Sequence, residues 1–291
     1  AEINQLRSDQ GGTVSGRLSY ANPNLQQIPA RNKEFGDKIR SLFLPEEGKQ
    51  WGSFDYSQQE PRLVAHYSSA IGQNLDGSEE FIKAYQDESA DFHQIVADMA
   101  QISRTQAKTI NLGLFYGMGK NKLSKELGIS KDKAEILLNQ YNSRVPFVKK
   151  LAEAVTQSAS KFGFIRTIKG RKCRFDKWEP MTFGMNQAMN YNEAKANYGN
   201  NIRRAFTYKA LNRLIQGSAA DQAKQAMIDC YNAGFTPMLQ IHDELCFSIY
   251  GEDDIIKIKK EMENSIEDLR VPFKVDVAKG LSWGETHDND R

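Results

Sequence analysis

Residues 238–250 read MLQIHDELCFSIY. Apolar side chains alternate with others on both sides of His242-Asp243, the period-2 pattern of paired strands. A hairpin with His242-Asp243 at its turn is expected. Residues 49–54, KQWGSF, read as a short strand ending at Asp55. An Asp at a strand end is commonly a turn former or a cap. A second reading depends on the pair. Two carboxylates on rigid strand ends can bridge two Mg²⁺ ions, which stabilise the attacking and leaving oxygens of an in-line phosphoryl displacement. Mg²⁺ suits such a place, because it binds through one or two carboxylates plus substrate phosphates. Glu244 is then a second carboxylate near the metals or a solvated turn residue. If Asp55 and Asp243 act together, their strands must meet in one antiparallel sheet.

Around these strands the pattern is mixed. A helix is expected from about Gln58 to Ser69, since Pro61 is tolerable only in a first turn. Residues 78–160 alternate helical segments with breaks at Gly128/Ser130 and at Pro146. Residues 162–175 read as a hairpin around Lys169-Gly170, and 1–35 as extended or looping backbone. Residues 176–200 read as irregular, 203–233 and 252–269 as helix, and 273–278 as strand. Hairpins and helices without a βαβ array give the α+β class.

Composition sets bounds. The chain has 39 Lys and Arg against 37 Asp and Glu in 291 residues, a formal charge of +2. That excludes a uniformly basic nucleic-acid-binding domain. An apolar content of 40% excludes a disordered chain. The balance hides local bias. Residues 161–213 hold 12 basic and 3 acidic residues, and 243–291 hold 7 basic and 13 acidic. A basic stretch could track phosphates while the acidic end is partly given to metals. No run of apolar residues is long enough to span a membrane, and no signal peptide is visible. Cys173, Cys230 and Cys246 have no C-x-x-C spacing, so three free thiols in a reducing cytosol are expected. The absence of an initiator Met suggests a fragment or processed chain.

Two further stretches carry candidate chemistry. In RTQAKTINLGLFYGMG, residues 104–119, a helix places Arg104, Lys108, Leu112 and Tyr116 on one face. Two cations, then an apolar residue, then an aromatic one suit a nucleoside triphosphate. No acidic residue occurs from Met99 to Lys125, so no local partner is expected for the cations. An ordinary amphipathic helix with solvated basic ends explains the spacing equally well. In TVSGRLSYANPNLQQIP, residues 13–29, Arg17, Asn22, Asn24, Gln26 and Gln27 offer polar groups suited to minor-groove contact. A generic polar loop is the alternative.

Taken together, these stretches resemble family A DNA polymerases, the DNA polymerase I type. SGRLSYANPNLQQIP resembles the family's primer- and template-touching segment, FDYSQQEPRLVAH its motif A, RTQAKTINLGLFYGMG its motif B and LQIHDELCF its motif C. Four motifs in the family's order span almost the whole chain. RKCRFDKWEP and the spacer after it resemble the phage-like branch.

The resemblance implies a right-hand polymerase: an antiparallel-sheet palm with a mostly helical fingers insertion. The palm is expected over 1–70 and 205–291, and the fingers over 71–204. Asp55, Asp243 and Glu244 would be catalytic. Asp55, Asp243 and the Tyr56 carbonyl would hold two Mg²⁺, with Mn²⁺ as a substitute. Gln58, Glu60, His93, Arg104, Lys108, Leu112 and Tyr116 would bind the dNTP. Glu60 would bond Tyr116 and crowd the sugar 2′ position. Arg17, Asn24, Gln26, Asn212, Gln216 and His242 would bind DNA. The nucleophile would be the primer 3′-OH, with the protein supplying positioning and charge stabilisation. Implied partners are primer–template DNA, dNTPs and a processivity factor or helicase. A monomer in the cytoplasm, the host's if phage-encoded, and a role in replication are expected.

Three departures stand out. Leu112 replaces the usual Phe or Tyr, which predicts strong discrimination against dideoxynucleotides; comparable use of ddTTP and dTTP would refute this. Gln59 and Pro61 replace Ile and Leu, and a polar Gln59 near the sugar would weaken ribonucleotide exclusion. The chain also starts just before the first motif, with no D-x-E exonuclease signature, so a thumb is expected to be absent and processivity poor. Two other readings remain at this level: a single-subunit RNA polymerase, and a non-catalytic DNA-binding fragment.

Overall fold

A computed structural model describes residues 1–8, 11–29, 33–70, 75, 78–86, 91–115, 118–182 and 187–286. In chain order, the first elements are β1 (Glu2–Asn4), β2 (Ser19–Ala21), α1 (Lys33–Arg40), β3 (Gln50–Tyr56), α2 (Gln59–Ala70) and α3 (Ser78–Gln86). Next come α4 (Phe92–Ala100), α5 (Arg104–Phe115), α6 (Lys120–Leu127), α7 (Lys131–Arg144) and α8 (Pro146–Phe162). These lead to β4 (Phe164–Arg166), β5 (Lys172–Arg174), β6 (Trp178–Pro180), α9 (Tyr191–Tyr198) and β7 (Ile202–Arg204). The rest are α10 (Ala210–Asn232), β8 (Leu239–Ile241), β9 (Glu244–Ile249), α11 (Glu252–Glu263), β10 (Val275–Gly280) and α12 (Trp283–Thr286). The chain divides into two compact units, Ala1–Arg62 with Ala219–Arg291, and Leu63–Ser218.

The first unit is built on a four-stranded antiparallel sheet of order β10-β3-β9-β8. β3 is central, and alternation along it splits its side chains between two cores. Phe54 meets Phe247 edge to face at 5.5 Å on one side. On that same side the Tyr56 hydroxyl donates to the Met262 carbonyl at 2.7 Å, which ties the sheet to α11. Trp51 stacks on Trp283 at 6.3 Å on the other side, and the Ser53 and Thr286 hydroxyls are 3.0 Å apart. Gly52 is required by close approach, since a Cβ there would lie 2.9 Å from the Phe54 ring and 3.0 Å from Ile249. Fully burying a ring such as Phe54 contributes about 1.5–3 kcal/mol.

The second unit is mainly helical. Asp91 caps α4, and Ser130 caps α7 through the Lys133 N–H at 3.2 Å. Gly128 ends α6 in the left-handed conformation, and Pro146 opens α8. α8 buries Phe147, Val148, Leu151, Val155 and Ala159, the spacing of one helical face. β4 and β5 form the hairpin expected around Lys169-Gly170.

Several boundaries differ from the sequence reading. β1 pairs with β2 and α1 starts at Lys33, within or beside a stretch read as extended or looping. Residues 176–200 contain β6 and α9, the latter capped by Asn190. The helix expected from 203 starts only at Ala210, because Phe206 is left-handed at φ 63 and no helix runs through it. α11 ends at Glu263, where the Ser265 hydroxyl turns back to the Met262 carbonyl. Among the described residues, no helix is long and apolar enough to cross a membrane. All three cysteines are buried and free.

Candidate active site

The register of the sheet brings the two aspartates to neighbouring strand ends. Asp55 lies opposite Glu244, and the Tyr56 N–H donates to the Asp243 carbonyl at 3.3 Å. Asp55 is exposed and Asp243 half-buried. The residues at these ends hold unusual backbone: Gln58 and His242 are left-handed, at φ 54 and 56. That conformation costs a non-glycine residue roughly 1–2 kcal/mol. A bond from Gln240 Nε2 to the His242 carbonyl, 2.5 Å, braces the turn.

Burial pushes the Asp243 carboxyl above the usual range; Arg17 and His242 oppose this, and Glu244 reinforces it. Glu60, from α2, pairs with Arg17 at 2.5 Å. Burial nevertheless raises the Glu60 carboxyl, with Arg17 opposing and Asp243 adding to the rise. Glu244 is buried in β9 rather than solvated in the turn. Its Oε1 accepts from Trp283 Nε1 at 3.2 Å and from the Cys246 thiol at 3.4 Å. The Tyr56 phenol is spent on Met262, so its side chain does not take part in the carboxylate cluster.

These groups fit a divalent cation of the Mg²⁺ kind. They are hard oxygen donors, few in number, on rigid backbone. Burial disfavours the Asp243 charge, and a cation beside it would offset that. No group of three or more His, Cys, Asp or Glu among the described residues forms a closed metal site. Two carboxylates alone would leave positions on such a cation for other oxygen ligands.

Asn24 and Gln26 also belong to this unit, and both shape their own loop. Asn24 Oδ1 accepts from the Gln26 N–H at 3.1 Å, and Gln26 Nε2 donates to the Leu18 carbonyl at 3.2 Å. Gln59 corrects a sequence expectation. Its amide is buried, donating to the Ala219 carbonyl at 3.2 Å and to Gln222 Oε1 at 2.9 Å. It is a packing group held within its unit, not a free polar side chain.

A separate cluster lies in the helical unit. Arg104 and Lys108 stand one turn apart on exposed positions of α5. The expectation that they lack an acidic partner fails for Arg104. Its Nε and Nη2 donate to Asp91 Oδ2 at 2.8 and 2.6 Å. Asp91 Oδ1 also accepts from the His93 and Gln94 N–H groups. Burial alone would raise the Asp91 carboxyl, yet Arg104 and the two N–H groups hold it below the usual range. The window from Met99 to Lys125 missed this partner, although an Asp directly before a helix is a capping signal.

His93 is buried on α4, and Asn111 Nδ2 lies 3.2 Å from its Nδ1. Burial lowers its pKa to about 4, with Lys108 and Arg104 assisting and Asp91 opposing. The imidazole is therefore neutral at pH 7. Leu112 lies on α5, but its side chain, like all of Tyr116, falls outside the described residues. Asn212 and Gln216 are half-buried, one turn apart on α10. Asn212 Nδ2 is buried without a hydrogen-bond acceptor among the described residues.

Comparison with known proteins gives a consistent answer. The chain is 37% identical to a DNA-directed DNA polymerase of Pseudomonas phage M6, over 98% of this chain and 46% of that protein. It is 36% identical to DNA polymerase I of Caldicellulosiruptor bescii, over 95% of this chain and 31% of that one. Among solved structures it is similar to the POL domain of Pol1 from M. smegmatis, in complex with DNA primer-template and dNTP. That match has a TM-score of 0.75, 31% identity and coverage of 98% of this chain and 48% of the other. The chain thus spans between about a third and a half of the proteins it matches. The family model described as DNA polymerase family A matches residues 5–285, and this chain belongs to that family.

Proposed function

We propose that the chain carries the DNA-polymerising centre of a family A enzyme, phage-like in type, that adds dNMP to a primer 3′-OH on a template during replication. The observation that carries this reading is the pairing of β3 with β9, which sets Asp55 and Asp243 at adjoining strand ends. The first unit would be the palm and the second the fingers. In the reaction the primer 3′-hydroxyl would give up its proton to solvent, its oxygen would bond to the α-phosphorus, the bond to the bridging oxygen would break, and pyrophosphate would leave. Asp55, Asp243 and the Tyr56 carbonyl would hold two Mg²⁺, which when bound supply charge stabilisation to the attacking and leaving oxygens. Glu244 would keep Asp243 in place through its ties to Trp283 and Cys246 rather than act at the reacting atoms.

Arg104, Lys108 and His93 would grip the triphosphate. On this reading, phosphate must compete with Asp91 for Arg104. Gln58, Glu60, Leu112 and Tyr116 would read the sugar and base. Arg17, Asn24, Gln26, Asn212, Gln216 and His242 would lie along the primer–template. The similar Pol1 domain, named as a complex with DNA primer-template and dNTP, supports both partner classes. Primer extension in Mg²⁺ with dNTPs and, separately, rNTPs tests the proposal. Extension with dNTPs, lost in Asp243→Asn, is expected. Preferential use of rNTPs would instead indicate an RNA polymerase. DNA binding without extension in Mg²⁺ or Mn²⁺ would indicate a binding fragment.

A further inference from the structure

Three residues of the helical unit form a buried chain of hydrogen bonds: Tyr141 on α7, Asn111 on α5 and His93 on α4. The Tyr141 hydroxyl lies 2.5 Å from Asn111 Oδ1, and Asn111 Nδ2 lies 3.2 Å from His93 Nδ1. Tyr141 and Asn111 are fully buried. A buried phenol needs an acceptor, and Asn111 Oδ1 is the one Tyr141 finds among the described residues. That fixes which way the Asn111 amide faces. Its oxygen takes the phenolic proton, so its NH₂ points at the imidazole. An N–H aimed at Nδ1 requires a lone pair there. The ring proton must then sit on Nε2.

We infer that Asn111, locked by Tyr141, is a positioning residue that holds His93 as a neutral imidazole with Nδ1 accepting and Nε2–H donating. This rests on the proposed role of His93 as a triphosphate contact, and it gives that role a chemical form. His93 would offer phosphate a neutral N–H donor, while Arg104 and Lys108 supply the charge. The imidazolium form is opposed geometrically, because a second proton on Nδ1 would face the Asn111 NH₂. The charges acting on the ring agree. Arg104 and Lys108 on α5 oppose protonation, against Asp91 at the α4 cap, while Tyr141 on α7 stays a protonated donor because burial raises its phenol.

Ring ¹⁵N NMR of His93, read beside dNTP kinetics, tests the inference. The wild-type chain is expected to show unprotonated Nδ1 and protonated Nε2 at pH 7. Asn111→Asp replaces the NH₂ with an acceptor, so the proton should move to Nδ1, giving that tautomer or the imidazolium. Tyr141→Phe, which keeps the ring packing, should release the amide and give a tautomer mixture. In both variants the dNTP KM should rise about tenfold, the scale of one hydrogen bond to a charged group, with a smaller change in kcat. The rise should vanish in a His93→Ala background. A wild-type Nδ1–H tautomer, or one indifferent to both substitutions, would overturn the inference. If the tautomer follows the substitutions but His93→Ala leaves the KM unchanged, the positioning stands and the triphosphate role fails.

Discussion

The carboxylate cluster and the cation cluster are built in opposite ways. Asp55 and Asp243 owe their placement to backbone pairing in a sheet covered on both faces. Arg104 and Lys108 sit on the outside of one helix, and Arg104 is held by a half-exposed ion pair. Backbone register is expensive to change, since a one-residue slip turns every side chain to the other face. A surface ion pair contributes only about 0–1 kcal/mol and can exchange partners. The first arrangement suits groups that must not move relative to each other. The second suits groups that let go of one anion to take another.

The largest expected effect breaks the first cluster. Asp55→Asn or Asp243→Asn should lower single-turnover incorporation by about 10³-fold or more, the scale of lost metal-borne charge stabilisation. Their dNTP affinity should change little. Arg104→Ala should do the reverse, raising the dNTP KM by roughly 10–100-fold through lost charged hydrogen bonds. Asp91→Asn sharpens the contrast. It keeps an N-cap acceptor for α4 but releases Arg104, so the KM should fall a few-fold. Equal KM values in wild type and Asp91→Asn would show that the pair does not compete with phosphate.

Stability separates the clusters on a smaller scale. The folded Asp243 carboxyl is raised above its ordinary value, so its charge opposes folding at neutral pH. In EDTA at pH 7, Asp243→Asn should therefore melt higher, by roughly 2–4 °C per kcal/mol relieved. The gain should disappear below pH 3.8, where the acid is neutral folded and unfolded. His93 gives the smallest effect. Its folded pKa, about 4, lies below 6.5, so the unfolded chain binds the extra proton first as pH falls. The stability advantage of wild type over His93→Gln should be constant above pH 6.5 and shrink between 6.5 and 4. A constant difference down to pH 4 would mean that the imidazole is not held neutral.

The sequence made the sheet-borne cluster readable and the helix-borne one only half so. Alternation in KQWGSF and MLQIHDELCFSIY states the strands β3, β8 and β9, and their antiparallel register does the rest. A helix face names Arg104 and Lys108 but not what they touch, because partners such as Asp91 come from another helix. Asn111 is one polar residue inside a helical motif, and nothing local marks it as buried between Tyr141 and His93. Gln59 misled in the opposite sense, since its polarity is satisfied by Ala219 and Gln222. Of the two readings of Glu244, a carboxylate near the metals or a solvated turn residue, the second fails, because Glu244 is buried at the start of β9 and accepts from the indole of Trp283 on α12.

The most direct test is single-turnover dNTP incorporation on a primer–template in Mg²⁺, titrated with dNTP, for wild type, Asp243→Asn and Arg104→Ala. Loss of rate at unchanged dNTP affinity in the first variant, with weakened affinity in the second, is predicted. Wild-type incorporation by Asp243→Asn would contradict the assignment of the chemistry to the paired strand ends.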